Sequence, residues 1–187
     1  SLLRPEFSKW RKYSIERRKH PVLKQLLIHM GGMDINNITE QVLKVLAISN
    51  LQKDINITVV MGKLAPHLES IKKRLDDFPF NIDVKVNVDN MAEIMANVDL
   101  AIGAAGSSTW ERCYLGLPGI IFTLAKNQEK IADMSDEYGI AISANIDNIC
   151  ELCNLIVKIK NQAKLIIKNS TALIDGHGVF RVLQYIK

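Results

Sequence analysis

A turn of small residues, followed by hydroxyl side chains, is the stretch of this sequence best suited to chemistry. Gly106, Ser107 and Ser108 stand between a short apolar run and a segment that ends at 115–118, Leu-Gly-Leu-Pro. Serine favours the start of a helix, and a glycine followed closely by proline favours its end. Because backbone amides at a helix start bind anions, the turn predicts a phosphate site. Helix capping by the serines is the competing explanation, and it needs no ligand.

Glu111 follows this turn and would lie near the first turn of the predicted helix. A carboxylate at that place can accept two hydrogen bonds from the hydroxyls of a ribose. Its spacing of three residues from Ser108 is also that of a capping box, in which the two residues bond to each other's backbone. The spacing alone favours neither role.

A second small-residue turn, Gly31-Gly32, directly follows the apolar end of Val22–Met30. Two adjacent glycines let a ligand approach the backbone closely. The pair is not a complete dinucleotide fingerprint, which needs a third glycine and a later acidic residue. A tight structural turn therefore explains it nearly as well.

The remaining reactive side chains form no recognisable catalytic or metal-binding constellation. The four histidines are scattered, and Cys150 and Cys153 form one C-x-x-C pair on an apolar stretch. A zinc site needs four ligands, so we expect these cysteines to pack in the core. No Asp-x-Asp pair stands at a strand end to hold a cation between phosphates. The sequence thus predicts no metal and no cofactor.

Composition limits the class of protein. Apolar residues make up 48% of the chain, which is ample for a core, and we find no run that is apolar enough to span a membrane. The first twenty residues lack the apolar stretch of a signal peptide. Three cysteines, an odd number, favour a reducing compartment. We therefore expect a cytoplasmic protein.

Positive charge is concentrated at the amino end. Residues 1–20 hold seven Lys or Arg and two Glu, so the rest of the chain, whose total formal charge is +4, is close to neutral. Trp10 and Tyr13 lie among these cations and could stack on bases, which makes the segment a candidate nucleic-acid contact. A solvated linker explains the charge more simply.

Strand-like and helix-like patterns alternate from about residue 22 onward. The strand-like runs are Val22–Met30, Ile55–Met61, Ile82–Val88, Asp99–Ile102, Gly119–Leu124 and Ile140–Ile142. This alternation predicts an α/β fold, a Rossmann-like doubly wound parallel sheet of about six strands. Ligands bind such sheets at the carboxyl ends of the strands. We expect the loops at 31–32, 88–89 and 103–108 to meet there.

Several of these stretches together resemble the carboxyl-terminal half of a GT-B nucleotide-sugar enzyme. The motifs that carry the resemblance are Leu2–Phe7, Asn87–Met91, Asp99–Gly103, Gly106–Cys113, Leu115–Pro118, Asn127-Gln128 and Asp175–Arg181. The sequence is most similar to the UDP-sugar hydrolase family of pseudaminic acid biosynthesis and its spore-coat polysaccharide relatives. It is more distantly similar to the peptidoglycan glycosyltransferases that add N-acetylglucosamine to lipid I. The resemblance covers nearly the whole chain.

The resemblance implies a site for UDP. The uracil base would lie against the loop at Val88, and Glu111 would hold the ribose hydroxyls. The amides of Gly106, Ser107 and Ser108 would face the diphosphate.

The same resemblance assigns the other side of the site. Gly31 and Gly32 would line the cleft from below, and Asn127 and Gln128 would reach toward the sugar or the phosphate. No metal is implied.

The resemblance also implies a division of the chain. Residues 1–21 would be an interdomain linker and residues 22–187 the UDP-binding Rossmann-like domain. An amino-terminal domain of the same protein would supply a glycine-rich loop with the histidine base, so no catalytic residue is expected in this chain.

We expect the chain to be the nucleotide-binding half of a nucleotide-sugar hydrolase. Such an enzyme releases UDP from a UDP-linked diacetamido-trideoxy sugar when water attacks. The first alternative is a UDP-sugar-dependent GT-B glycosyltransferase of cell-surface polysaccharide. The second is a non-catalytic module that binds nucleotides or nucleic acid. We expect the UDP-sugar and the amino-terminal domain to be its partners.

Overall fold

A computed structural model describes residues 3–186, and one parallel sheet runs through them. The strands are β1 Gln25–His29, β2 Asn56–Met61, β3 Asn81–Val86, β4 Leu100–Ala104, β5 Gly119–Phe122 and β6 Ile142–Ala144. Their order across the sheet is β3-β2-β1-β4-β5-β6. The predicted Rossmann-like doubly wound sheet of about six strands is therefore confirmed.

Helices cover both faces of this sheet. They are α1 Glu6–Arg17, α2 Ile38–Ala47, α3 Leu68–Lys73, α4 Met91–Asn97, α5 Ser108–Tyr114, α6 Glu129–Glu137, α7 Leu152–Leu173 and α8 Gly178–Ile186. One face packs against α2, α3 and α7, and the other against α1, α4, α5 and α6. Within the described residues, no helix is both long enough and apolar enough to cross a membrane.

The central strands are buried on both faces, which is why they appear in the sequence as continuous apolar runs. In β1, Leu26 and Ile28 join the core on one face of the sheet, whereas Leu27 joins the core on the other. All five residues of β4 are buried. The strands that hold the carboxyl edge in place are therefore fixed by packing from both sides.

The observed element boundaries differ from the predicted ones by a few residues. Helix α2 begins at Ile38, because the Asp34 carboxylate accepts hydrogen bonds from Ile38 N (2.8 Å) and Thr39 N (2.9 Å) and so fixes its start. The last strand was expected at 140–142 but forms at β6. Ile140 instead closes the turn after α6, donating from its amide to Ser135 O at 2.9 Å.

Helix α1, within the segment expected to be a linker, packs on the body of the domain. Phe7 is fully buried, and Ser14 Oγ donates to Leu115 O at 2.7 Å. Arg18 is buried as well and donates to the carbonyls of Met95 and Val98. The boundary at residue 21 stays a prediction. Residues 1 and 2 of the expected linker, and residue 187 of the expected domain, lie outside the described residues.

The arginines of the amino-terminal segment make contacts within the fold. Arg11 donates to the carbonyls of Ile174 (3.0 Å) and Thr171 (2.9 Å), and Arg17 pairs with the buried Asp99 at 2.6 Å. The rings of Trp10 and Tyr13 pack edge-to-face against each other, with centroids 5.7 Å apart. The segment that suggested a nucleic-acid contact is thus a docked helix, and its arginines are used in contacts within the domain.

Candidate functional site

The carboxyl edge of the sheet brings the predicted loops side by side. Strands β1 and β4 are neighbours, with His29 opposite Gly103, and their chains leave toward opposite faces of the sheet. Such a reversal of strand order opens a crevice for a ligand. Along the edge, Gly62 N donates to Gly32 O at 3.1 Å, and Asn87 N donates to Met61 O at 2.9 Å. The loops 31–32, 87–89 and 103–108 therefore lie along one edge.

The glycine pair after β1 exposes its backbone at this edge. Gly31 has φ of +92°, a left-handed conformation that favours glycine, and a Cβ on either Gly31 or Gly32 would meet nothing within 4 Å. The structure adds Gly62, which the sequence reasoning missed. A Cβ there would lie 2.2 Å from Gly32 O. Gly62 thus supports the loop from beneath, while Gly31 and Gly32 face open space.

Helix α5 begins at the predicted small-residue turn. Gly106 and Ser108 are half-buried, Ser107 is exposed, and the Ser107 side chain makes no capping hydrogen bond among the described residues. The first amides of a helix have no carbonyl partner within it. At the start of α2 the Asp34 carboxylate satisfies two such amides. Of these two helix starts at the crevice, α5 is the one without a side-chain cap of its own.

Glu111 does not form the capping box that its spacing allowed. Its Oε1 accepts a hydrogen bond from Arg4 Nε at 3.0 Å and also lies 3.0 Å from Arg4 Nη2. The Glu111 side chain is 18% exposed. Since both contacts use Oε1, Oε2 is the oxygen through which this carboxylate could bind hydroxyl groups. Sequence spacing could not reveal Arg4, which is 107 positions away.

A buried cation lies beneath the turn. Arg112 is 2% exposed, and its Nη2 donates to Ala104 O at 3.1 Å and to Thr109 Oγ1 at 2.8 Å, neither of which carries a charge. Burial lowers the pKa of Arg112 to about 10, so the guanidinium stays charged at neutral pH. A buried charge interacts strongly with groups nearby because water screens it little. Arg112 therefore favours an anion at this edge.

His29, at the end of β1, is electrically neutral. Burial, followed by the charge of Arg112 and then that of Arg4, lowers its pKa to about 4. Its Nδ1 is buried and has no hydrogen-bond partner among residues 3–186. The sequence reasoning found no role for either His29 or Arg112, since the role of each depends on its surroundings in the fold, which residue spacing does not reveal.

The other predicted site residues also lie at the carboxyl edge. Val88 is half-buried and packs against the core cluster that contains Met91. After β5, Asn127 is exposed, while Gln128 is half-buried and its Oε1 accepts a hydrogen bond from Leu124 N at 2.9 Å. The contacts of these residues with a sugar or phosphate stay predictions.

The expectation that both cysteines of the C-x-x-C pair pack in the core is wrong for one of them. Cys150 is exposed, in a 3₁₀ turn before α7, and Cys153 is half-buried. The helix begins only at Leu152, and in the 3₁₀ turn before it Ile146 and Ile149 pack against the core whereas Cys150 does not. Across residues 3–186, no group of three or more His, Cys, Asp or Glu side chains is arranged to hold a metal ion.

Comparison with known proteins identifies the domain. The sequence model of the Glycosyltransferase family 28 C-terminal domain matches residues 26–173, from β1 to the end of α7. An uncharacterised protein of Methanocaldococcus jannaschii is 33% identical over 134 residues, 71% of this chain and 27% of that protein. The spore coat polysaccharide biosynthesis protein SpsG of Bacillus subtilis is 27% identical over 168 residues, 85% of this chain and 48% of SpsG. The chain thus spans less than half the length of either relative.

Two solved structures share the fold. MurG of Acinetobacter baumannii has a TM-score of 0.73 at 20% identity, over 97% of this chain and 54% of MurG. HepE of Anabaena, solved in complex with UDP-glucose, has a TM-score of 0.64 at 13% identity, over 98% of this chain and 54% of HepE. The domain therefore has the fold of one half of a GT-B protein.

The expectation of a nucleotide-sugar hydrolase is wrong, because the family whose model matches is a glycosyltransferase family. The motifs behind that expectation are the ones predicted to contact the nucleotide. Whether water or a sugar hydroxyl attacks is decided by the group that binds the acceptor, so these motifs could not separate the two reactions. The chain belongs to the glycosyltransferase family 28 C-terminal domain family.

Proposed function

We propose that this chain is the nucleotide-sugar-binding half of a GT-B glycosyltransferase, one that uses a UDP-sugar in the synthesis of a cell-surface polysaccharide. The observation that carries the proposal is the match of a glycosyltransferase domain across all six strands. HepE, which shares the fold, was solved with UDP-glucose, and SpsG is named for spore coat polysaccharide biosynthesis.

In the proposed complex, UDP lies across the carboxyl edge between β1 and β4. The uracil packs against Val88, and the ribose hydroxyls donate to Glu111. The amides of Gly106, Ser107 and Ser108 bind the diphosphate. The uncapped start of α5 and the buried charge of Arg112 support this placement, since both favour an anion at the turn.

The rest of the nucleotide sugar extends along the same edge. Gly31 and Gly32 offer open backbone below it. Asn127 and Gln128, which follow β5, face the sugar or the outer phosphate. The Gln128 amide group is oriented for this by the hydrogen bond that its Oε1 accepts from Leu124 N.

The proposed reaction is transfer of the sugar to a hydroxyl of an acceptor. The acceptor oxygen attacks the anomeric carbon, the bond from that carbon to the UDP oxygen breaks, and UDP leaves with the bonding electron pair. The negative charge that develops on the leaving phosphate is stabilised by the amides of the turn and by Arg112. The acceptor site and the base that takes its proton are proposed to lie in an amino-terminal domain of the same protein.

Calorimetric titration of the chain tests the proposal. We expect UDP to bind in EDTA and magnesium to add little, since backbone amides and Arg112 take the place of a cation. Titration with ADP and GDP should show weaker binding, because the pocket at Val88 is proposed to select uracil. A strict requirement for magnesium, or equal binding of all three nucleotides, would contradict this account of the site.

The variant Glu111→Ala tests the ribose contact. Its affinity for UDP should fall by about 1.5–3 kcal/mol, the range for hydrogen bonds to a charged group. Its melting temperature should change little, because Glu111 makes no capping box. Lost stability with unchanged affinity would show instead that this carboxylate is structural.

A further inference from the structure

The carboxylate of Glu111 is held by a residue from the far end of the sequence. Arg4 Nε donates to Glu111 Oε1 at 3.0 Å, and Arg4 Nη2 lies 3.0 Å from the same oxygen. A carboxylate oxygen has two lone pairs, so these two donors occupy Oε1. The lone pairs of Oε2 are left for a ligand.

Arg4 itself is fixed by three further contacts. Its carbonyl accepts a hydrogen bond from Phe7 N at 3.1 Å, and its Cζ lies 5.0 Å from the centroid of the Phe7 ring. Its Nη1 lies 3.2 Å from Glu6 Oε1. Because Phe7 is fully buried, Arg4 is anchored to the core through the first turn of α1.

Arg4 pairs with Glu111 on one side of the crevice, and its positive charge acts on His29 on the other. Glu111 belongs to α5, which follows β4, while His29 ends β1. The positive charge of Arg4 contributes, after burial and Arg112, to the lowered pKa of His29. The guanidinium is therefore close to the point where the strand order reverses, which is where the nucleotide is proposed to bind.

We propose that Arg4 is a positioning residue, which orients Glu111 so that Oε2 accepts the ribose hydroxyls of the bound nucleotide. The inference rests on the proposed function and deepens it, since it makes α1 part of the nucleotide site. A glutamate that is free to rotate must lose rotamer entropy when it binds a ligand. Arg4 holds the side chain in one orientation before the ligand arrives, so less entropy is lost on binding.

The proposal is tested by comparing UDP with 2′-deoxy-UDP, which lacks one of the two hydroxyls. Calorimetry on the 187-residue chain should show that the wild type binds UDP about tenfold more tightly, the effect of one hydrogen bond to a charged group. In Arg4→Ala the affinity for UDP should fall about fivefold or more, while that for 2′-deoxy-UDP changes less than about twofold. The ratio of the two affinities should therefore approach one.

Two further variants separate positioning from charge and from folding. Arg4→Lys keeps the charge but lacks the fork of two donors, so it should give an intermediate ratio. Lys19→Gln removes a cation that pairs with Glu16 at 2.8 Å beyond the other end of α1, and it should keep the wild-type ratio. The melting temperature of each variant reports whether α1 stays docked.

Several results would overturn the proposal. If Arg4→Ala kept the wild-type ratio, or weakened both nucleotides equally, Arg4 would not position Glu111 although the site itself would stand. If the wild type bound both nucleotides equally, Glu111 would have no role at the ribose and the proposal would fall with it. If the wild type did not bind UDP at all, the proposed function would also be wrong.

Discussion

At the carboxyl edge, His29 is neutral and feels the positive charges of Arg112 and Arg4. Its contribution to the free energy of unfolding therefore depends on pH. His29 is shielded from water, and a proton on it would be repelled by Arg112 and Arg4. Its pKa is therefore lowered from 6.5 to about 4. An unfolded chain binds the proton near pH 6.5, whereas the folded protein resists it down to about pH 4. Acid should therefore favour the unfolded state through this one residue.

We expect the free energy of unfolding to decrease between pH 7 and pH 4.5, with roughly 2–3 kcal/mol of the decrease due to His29. His29→Gln removes the titrating group. The free energy of unfolding of this variant should therefore decrease by roughly 2–3 kcal/mol less than that of the wild type. Urea denaturation at the two pH values measures the difference. His20→Gln, which changes an exposed histidine, is the matched control and should behave as the wild type. An equal decrease in His29→Gln would show that other groups cause the acid sensitivity.

The residues that sequence reasoning found differ in kind from those it missed. Gly31, Gly106 and Glu111 belong to short motifs whose spacing has a local meaning, and the structure brings these to one edge. Arg4 acts through a contact with a residue 107 positions away, so no local pattern reveals it. Arg112 lies within the Gly106–Cys113 motif, but its importance comes from its burial, which the sequence does not reveal.

At the scale of elements, two glycines that touch each other have opposite roles. A Cβ on Gly62 would lie 2.2 Å from Gly32 O, so alanine there forces the backbone of the neighbouring loop to move. A Cβ on Gly32 would meet nothing within 4 Å and would project into the space proposed for the ligand. One glycine is needed for packing between elements, and the other leaves room at the site.

Gly62→Ala should therefore destabilise the fold by about 1–3 kcal/mol, the usual effect of overpacking. Gly32→Ala should change stability by less than about 0.5 kcal/mol and yet weaken UDP binding, since its new methyl group occupies the cleft. Thermal melts and calorimetry on both variants measure the two effects. A stable Gly62→Ala, or a Gly32→Ala with unchanged affinity for UDP, would contradict this division of roles.

The central strands could be predicted because burial on both faces leaves a continuous apolar run, whereas the edge strand β3 shows instead an alternation of apolar and polar residues. The ends of the helices were harder to predict from the sequence. Asp34 caps α2 from a left-handed backbone conformation, with φ of 41°, which no simple sequence pattern indicates. Strand β6 also begins two residues later than predicted, because only tertiary contacts decide where a three-residue strand begins.

At the scale of the molecule, the two helices that lie outside the matched family domain are attached differently. Helix α1 buries Phe7 completely, whereas α8 has no buried residue and exposes Phe180 by 66%. Phe7→Ala should lower the free energy of unfolding by about 3–5 kcal/mol, because it leaves a cavity in the core. Phe180→Ala should change it by less than about 0.5 kcal/mol. Urea denaturation of this matched pair checks the prediction, and equal effects would contradict it.

The last prediction concerns the whole chain, which should bind UDP without transferring sugar. The proposed nucleotide contacts all lie on the carboxyl edge of this one sheet, so binding needs no other domain. Transfer needs a base within hydrogen-bond reach of the acceptor hydroxyl. His29, at the end of β1, has a buried Nδ1 and a pKa lowered to about 4, so it is a weaker base at neutral pH than an ordinary histidine. Binding and chemistry should therefore separate in this chain.

The measurement is incubation of the chain with UDP-glucose, the sugar nucleotide present in the HepE structure, and detection of released UDP alongside calorimetry with UDP. We expect binding, with release of UDP no faster than in buffer. The affinity should be modest, since an open crevice leaves one face of the ligand in water. Release at about 1 per second or faster, a typical enzymatic rate, would place catalytic groups within this chain. No binding at millimolar UDP would contradict the proposed nucleotide site of this chain and, with it, the proposed function.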